Sequence, residues 1–90
     1  MEDQYKIVYT KTALKHITLL KAAKLDVRTK KLIEILKTNP LQNPPPYEKL
    51  IGDLKGAYSR RINITHRLVY QIYEAEHIVK IISMWSHYEY

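Results

Sequence analysis

The sequence predicts an α+β fold in which two helices pack against a mostly antiparallel sheet. Three observations predict it: an alternating segment at the start, two segments with helical spacing of apolar residues, and three closely spaced strand-like segments at the end. The 90 residues are enough for one small domain and too few for two. We therefore expect residues 1–90 to form a single domain: an N-terminal strand, a two-helix hairpin, then a three-stranded antiparallel meander.

The first strand is predicted at Gln4–Tyr9, where aromatic and aliphatic residues alternate along the segment. Thr10 follows this strand and is a plausible N-cap, because its hydroxyl can accept a hydrogen bond from a free amide of the first helical turn. The helix is expected to continue to about Ala23, since its apolar residues recur at helical spacing. These residues are Ala13, Leu14, Ile17 and Leu20.

The second helix is predicted to begin near Asp26 and to end at about Thr38, because the residue before a proline avoids helical angles. The break between the helices is very short, which favours an antiparallel hairpin. The segment Asn39–Pro46, with four prolines, predicts an extended connection. It should present the residues that follow on a fairly rigid arm.

Three strands are predicted at Ala57–Asn63, Arg67–Tyr73 and His77–Trp85. The gaps between them are short, so consecutive strands should pair as an antiparallel meander. The last strand is apolar on both faces, which favours a central, well-covered position in the sheet.

Composition limits the classes of function. The formal net charge is +6, which indicates a polyanion or an acidic protein as partner, although many small proteins are basic without a specific reason. There is no cysteine, so neither a disulfide nor a thiolate zinc site can form. The sequence has no His-Glu-x-x-His, glycine-rich phosphate loop or Gly-x-Ser-x-Gly motif, so we expect no metal and no cofactor. No long apolar segment opens the chain, and we expect a cytoplasmic protein without a membrane span.

Basic residues near the predicted strands are candidates for binding RNA phosphates. They are Lys49, Arg60 and Arg61, with Arg67 on the next strand. Guanidinium groups suit phosphate oxygens because they donate in pairs and stay charged. Strand alternation sends Arg60 and Arg61 to opposite faces, and Arg61 shares a face with Arg67 if the hairpin register sets them opposite each other. Solvated arginines at a sheet edge are the alternative interpretation.

Glu48 and His87 could add proton transfer to this basic surface. Cleaving RNA without a metal requires a base for the 2′-hydroxyl, cations for the phosphate and an acid for the departing 5′-oxygen. Glu48 is the natural base and His87 the natural acid, since imidazole titrates near neutral pH. Tyr88 could stack on a base or help to hold the phosphate.

These residues lie in segments that resemble a known family. The run YEKLIGDLKGAYSRRINITHRLVYQI, from Tyr47 to Ile72, and the ending SHYEY resemble the YoeB/Txe branch of the RelE toxin superfamily. The specific signature is Ser-Arg-Arg-Ile, then His-Arg-Leu-Val-Tyr, and a His-Tyr pair near the C-terminus. The resemblance implies a small RelE-like fold, related in architecture to the microbial ribonucleases.

The resemblance also implies an activity. Such proteins are toxins of type II toxin–antitoxin systems, ribosome-dependent endoribonucleases that cut mRNA at the A-site codon and so inhibit translation. By position, the family's general base falls on Glu48, its phosphate-stabilising arginine on Arg67, and its general acid on His87. Its adjacent tyrosine falls on Tyr88, and a supporting basic residue on Arg61.

One position departs from the family pattern. Relatives carry a lysine three residues after the glutamate, whereas this chain has Ile51. Lys49 could supply this charge, although on a strand or a helix it points elsewhere than residue 51.

The partners implied by the resemblance are a YefM/Phd-type antitoxin with an acidic segment, the ribosome with its mRNA, and a second copy of the toxin. Two alternatives remain. One is a RelE/ParE-fold toxin that binds a protein such as gyrase without cleaving, and the other is a basic RNA-binding module without chemistry. The presence of Glu48, Arg67 and His87 together favours the nuclease.

Overall fold

The structure is a computed structural model that describes residues 4–52 and 55–85, and it has the predicted α+β class. A five-stranded sheet, in the order β1-β5-β4-β3-β2, carries two helices. The elements are β1 (Lys6–Tyr9), α1 (Lys11–Ala22), α2 (Asp26–Thr38), β2 (Glu48–Lys49), β3 (Ala57–Arg61), β4 (Arg67–Tyr73) and β5 (Ile78–Ser83). Within the described residues, no helix is long and apolar enough to cross a membrane.

The sheet contains the predicted meander and two strand pairings that the sequence did not predict. β3, β4 and β5 pair antiparallel, as expected. β1 lies parallel to β5, and the two-residue β2 pairs with β3 at the other edge. β5 therefore has a neighbour on both sides, which confirms its covered position, although β4 is the middle strand.

The two helices are joined by a compact turn. Thr10 caps α1 as predicted, since its hydroxyl accepts from the Ala13 amide at 3.0 Å. At the other end, Lys24 has a φ of 62°. The Leu25 amide donates to the Leu20 carbonyl at 2.8 Å and the Lys24 amide to the Lys21 carbonyl at 3.0 Å. This double hydrogen bond is a Schellman motif, which ends one helix and lets the next begin at once.

The β3–β4 hairpin is closed by an asparagine. The Asn63 side-chain oxygen accepts from the amides of Thr65, at 2.9 Å, and His66, at 2.7 Å. This local bonding ends β3 at Arg61, two residues before the predicted end, because Asn63 bonds the turn rather than the strand ladder.

The main core lies between the helices and one face of the sheet. Leu36, Leu68, Tyr70 and Ile81 are each 0% exposed there. Burial of a large apolar side chain contributes roughly 1.5–3 kcal/mol, so this layer is the main source of stability. A smaller cluster, Leu50, Ala57 and Val69 with Ile82 packed against it, supports the opposite face. That face carries the polar residues considered next.

Candidate active site

The sheet register brings the predicted base and two arginines to one face. Arg61 lies directly opposite Arg67 on β4, and Glu48 lies opposite Ser59 on β3. Ser59 and Arg61 are two residues apart on β3 and therefore point to the same side. The register that the sequence left open is thus the one that groups the arginines, and it adds Glu48 to the same face.

These side chains surround an open cavity of about 480 Å³. Its lining residues are Pro45, Pro46, Tyr47, Glu48, Ser59, Arg61 and Arg67. The volume falls within the range of small-molecule and cofactor sites, roughly 300–1,000 Å³. An acidic group, two guanidiniums and an aromatic ring therefore line one cleft large enough to hold a nucleotide.

Arg67 is oriented by the β3–β4 turn. Its Nη1 donates to the carbonyl oxygens of Asn63, His66 and Ile64, at 3.1, 3.3 and 3.4 Å. These contacts hold the half-buried guanidinium at the edge of the cleft. Within residues 4–52 and 55–85, no acceptor binds its Nε or Nη2, so these nitrogens can donate to a phosphate.

Glu48 is exposed on the short strand β2. The pairing of β2 with β3 sets its position, and the Leu50 amide extends this pairing by donating to the Ala57 carbonyl at 2.9 Å. In the part of the chain that the structure describes, Glu48 forms no ion pair. Among the described residues, none occupies its carboxylate oxygens by a hydrogen bond, so a ligand could donate to them or give them a proton.

Arg60 does not lie in the cleft, and its expected role in phosphate binding is corrected. It points to the helix-covered face and is 1% exposed. Its nitrogens donate to the Tyr70 hydroxyl and to the carbonyl oxygens of Pro40, Gln42 and Pro45. A guanidinium so enclosed cannot reach a phosphate of an RNA chain.

Lys49 also lies away from the cleft, although it is exposed. It follows Glu48 on β2 and pairs with Tyr58, so strand alternation directs it to the other face. Ile51, at the position where relatives carry a lysine, is 73% exposed. Lys49 therefore does not replace that lysine in the cleft, whose described cations are Arg61 and Arg67.

His87 and Tyr88 lie outside the described residues. The described chain ends at Trp85, whose ring stacks on His66 with centroids 4.2 Å apart and an interplanar angle of 20°. Trp85 also packs against the main core, on the helix-covered face of the sheet.

Sequence reasoning gave no role to His16, which contacts the end of β5. Its Nδ1 accepts a hydrogen bond from the Met84 amide at 3.0 Å. Burial lowers the pKa of His16, which keeps the ring neutral and its Nδ1 lone pair available. No sequence motif marks this residue, because the contact joins positions 68 residues apart. Among the described residues, no three His, Cys, Asp or Glu side chains group as metal ligands.

Solved structures of toxins are similar in fold to this chain. A YoeB/ParE toxin from Agrobacterium tumefaciens has a TM-score of 0.84 and 28% identity, over 92% of this chain and 99% of that one. A YoeB–YefM complex from Staphylococcus aureus has a TM-score of 0.79 and 31% identity, over 93% of this chain and 98% of the other. The fold and the cleft together thus place the chain among the RelE-superfamily toxins.

The family model of the YoeB-like toxin of bacterial type II toxin–antitoxin systems matches residues 9–88, and the chain belongs to this family. Toxin YoeB of Synechocystis is 41% identical over 66 residues, which are 73% of this chain and 74% of the relative. Toxin YoeB of Streptomyces coelicolor is 44% identical over 48 residues. That match spans 53% of this chain and 57% of the relative's length.

Proposed function

We propose that this toxin is a ribosome-dependent endoribonuclease that cleaves mRNA at the A-site codon and thereby inhibits translation. The observation that carries the proposal is the convergence of Glu48, Arg61 and Arg67 on one open cleft. A carboxylate beside two guanidiniums supplies a base and cations for a phosphodiester in the same place.

In the proposed reaction, Glu48 takes the proton from the 2′-hydroxyl. The 2′-oxygen attacks the adjacent phosphorus, and the bond from phosphorus to the 5′-oxygen of the next nucleotide breaks. Arg67, with Arg61 opposite, stabilises the negative charge that accumulates on the phosphate oxygens. The products are a 2′,3′-cyclic phosphate and a 5′-hydroxyl.

His87 is the proposed acid that protonates the departing 5′-oxygen, and Tyr88 the proposed residue that holds a base or the phosphate. These two roles are carried over from the family, by the His-Tyr pair near the end of the sequence. The charge and the titration range of an imidazole suit the acid role.

The proposed partners follow from the family and the charge. YoeB of Staphylococcus aureus has been solved in complex with YefM and as a dimer. For this chain we infer a YefM-type antitoxin, whose acidic segment would complement the net charge of +6, and self-association. The same charge favours ribosomal RNA and mRNA as binding surfaces.

The test uses ribosomes programmed with a defined mRNA and maps the 5′ ends of the products by primer extension. The expected cut lies in the A-site codon. Glu48→Gln and His87→Gln should each slow it by roughly 10²- to 10⁴-fold, the range for one proton-transfer group. Glu76→Gln, in the exposed β4–β5 turn, changes the charge equally and should leave the rate unchanged.

Two results would overturn the proposal. Normal cleavage rates in both Glu48→Gln and His87→Gln would contradict the assigned base and acid. Tight ribosome binding without products, unchanged in both variants, would instead support a toxin that acts by binding alone.

A further inference from the structure

A buried arginine lies on the opposite side of the sheet from the cleft. Arg60 is 1% exposed, and an isolated charge at this depth is unfavourable by several kcal/mol unless hydrogen bonds compensate it. Within the described residues, its acceptors are three backbone carbonyls and one hydroxyl, with no carboxylate among them. The Arg60 guanidinium is therefore stabilised by these carbonyls, and it in turn holds them in place.

The three carbonyls all belong to the proline-rich loop. Two Arg60 Nη2 bonds reach the oxygens of Pro40 and Gln42, at 3.0 and 2.8 Å, and its Nη1 reaches that of Pro45. Proline has no amide hydrogen, so this loop has few donors of its own to satisfy buried carbonyls. A guanidinium offers five N–H donors in a planar fork and can bond several carbonyls at once.

Two tyrosines complete this attachment. The Tyr70 hydroxyl accepts from Arg60 Nε at 3.1 Å and donates to the Pro40 carbonyl at 2.8 Å. The Arg60 guanidinium carbon lies 5.2 Å from the ring centroid of Tyr47, a cation–π distance. Tyr47 also packs edge-on against Tyr58, with centroids 5.7 Å apart. The loop is therefore fixed at its beginning by Pro40 and at its end by Pro45 and Tyr47.

The end of this loop is a wall of the cleft. Pro45, Pro46 and Tyr47 line the cavity, and Glu48 follows Tyr47 directly. Glu48 itself lies on a strand of two residues, which adds little rigidity of its own. The position of its carboxylate consequently depends on how the preceding residues are held.

We propose that Arg60 is a positioning residue for the cleft: by holding the loop from Pro40 to Tyr47 it sets the Glu48 carboxylate at the distance from Arg61 and Arg67 that the reaction needs. The assignment rests on the proposed nuclease function. Neighbouring arginines of β3 thus have separate tasks, since Arg61 faces the cleft and Arg60 fixes its wall from the other face of the sheet.

The test compares Arg60→Lys with Arg28→Lys. Arg28 also donates to a backbone carbonyl, that of Ile62 at 3.3 Å, and within the described residues no hydrogen bond joins it to the loop. Single-turnover cleavage on programmed ribosomes should fall by at least tenfold in Arg60→Lys, with ribosome affinity within twofold of the wild type. Arg28→Lys should keep the wild-type rate. If Arg60→Lys does not fold, Tyr70→Phe removes one hydrogen bond of Arg60 and one that reaches the Pro40 carbonyl, and it should lower the rate three- to tenfold.

A control separates positioning from general stability. Leu20→Val destabilises the main core from α1, whereas α2 is the helix that leads into the loop, and the folded protein at 25 °C should cleave at the wild-type rate. A wild-type rate in Arg60→Lys, or an equal loss in Leu20→Val, would overturn the assignment.

Hydrogen–deuterium exchange tests the role of Arg60 without relying on RNA cleavage. The loop amides that can exchange, those of Leu41, Gln42, Asn43 and Tyr47, should exchange faster in Arg60→Lys, while β4 and β5 keep their protection. If the wild type cleaves nothing, the proposed function fails, and this exchange result still decides whether Arg60 holds the loop. Unchanged exchange of these loop amides would show that it does not.

Discussion

Replacing Arg61 by glutamine is expected to stabilise the folded chain and to weaken its activity. Arg61 is exposed and lies directly opposite Arg67, and like charges at such a pair of sheet positions repel. Unit charges about 6 Å apart in water repel by roughly 0.7 kcal/mol, which screening at physiological ionic strength lowers to roughly 0.3 kcal/mol. Removing one charge should therefore raise the midpoint of thermal unfolding by about 1–5 °C, with the larger rise at low salt.

The measurement is thermal unfolding by circular dichroism at 10 mM and 500 mM salt. Lys6→Gln is the matched control, because it removes one exposed strand cation whose partner across the ladder, Ile78, is uncharged. The midpoint of Arg61→Gln should exceed that of Lys6→Gln at low salt, and the difference should shrink at high salt. Inorganic phosphate should stabilise the wild type more than Arg61→Gln, since the anion relieves the same repulsion.

The activity of Arg61→Gln should fall in the ribosome cleavage assay. A hydrogen bond to a charged group contributes roughly 1.5–3 kcal/mol, which corresponds to a loss of roughly 10- to 150-fold. The pairing of higher stability with lower activity is the critical result. A loss of stability in Arg61→Gln would refute the reasoning that the arginine pair is held together for anion binding. An equal gain of stability in Lys6→Gln would refute it as well.

Two further predictions concern the helices. Lys24→Gly removes the strain of a left-handed residue, and it should raise the midpoint of thermal unfolding by about 2–4 °C. This rise corresponds to a net gain of about 0.5 kcal/mol, because glycine also gives the unfolded chain more freedom. Lys21→Gly, inside α1, should lower the midpoint, and a fall in both variants would contradict the Schellman assignment. Burial lowers the pKa of His16, so the unfolded chain binds a proton there near pH 6.5 and the folded chain only at lower pH. The free energy of unfolding should therefore decrease as the pH falls below about 6.5. Chemical denaturation at pH 7 and pH 5 should show a smaller decrease in His16→Asn, whose side chain keeps an acceptor for the Met84 amide. Equal decreases in the wild type and the variant would exclude His16 as the cause.

Local patterns predicted most of the secondary structure. The Thr10 cap and the β4 strand at Arg67–Tyr73 were predicted from adjacent residues alone, because a hydroxyl before a helix and alternation along a strand act over a few positions. The pairing of Arg61 with Arg67 was left open, because the short turn that joins the strands does not fix their register by itself. β2 was missed because two residues carry no periodic signal.

One part of the candidate site could be predicted from the sequence, and another part could not. Glu48, Arg61 and Arg67 could be selected by residue type, charge and resemblance, whereas no local rule shows which of two adjacent arginines faces a ligand. Arg60 was misassigned because its acceptors, at Pro40, Gln42 and Pro45, lie 15–20 positions away along the chain.

By itself, the sequence determined the fold class, the basic character of the surface and the residue types available for proton transfer, because these depend on composition and short-range pattern. The tertiary structure decided which of those residues share a cleft and which hold its wall. Those assignments depend on sheet register and on loop carbonyls that find their donors far away in the chain, and both are settled when the strands and the proline loop pack together.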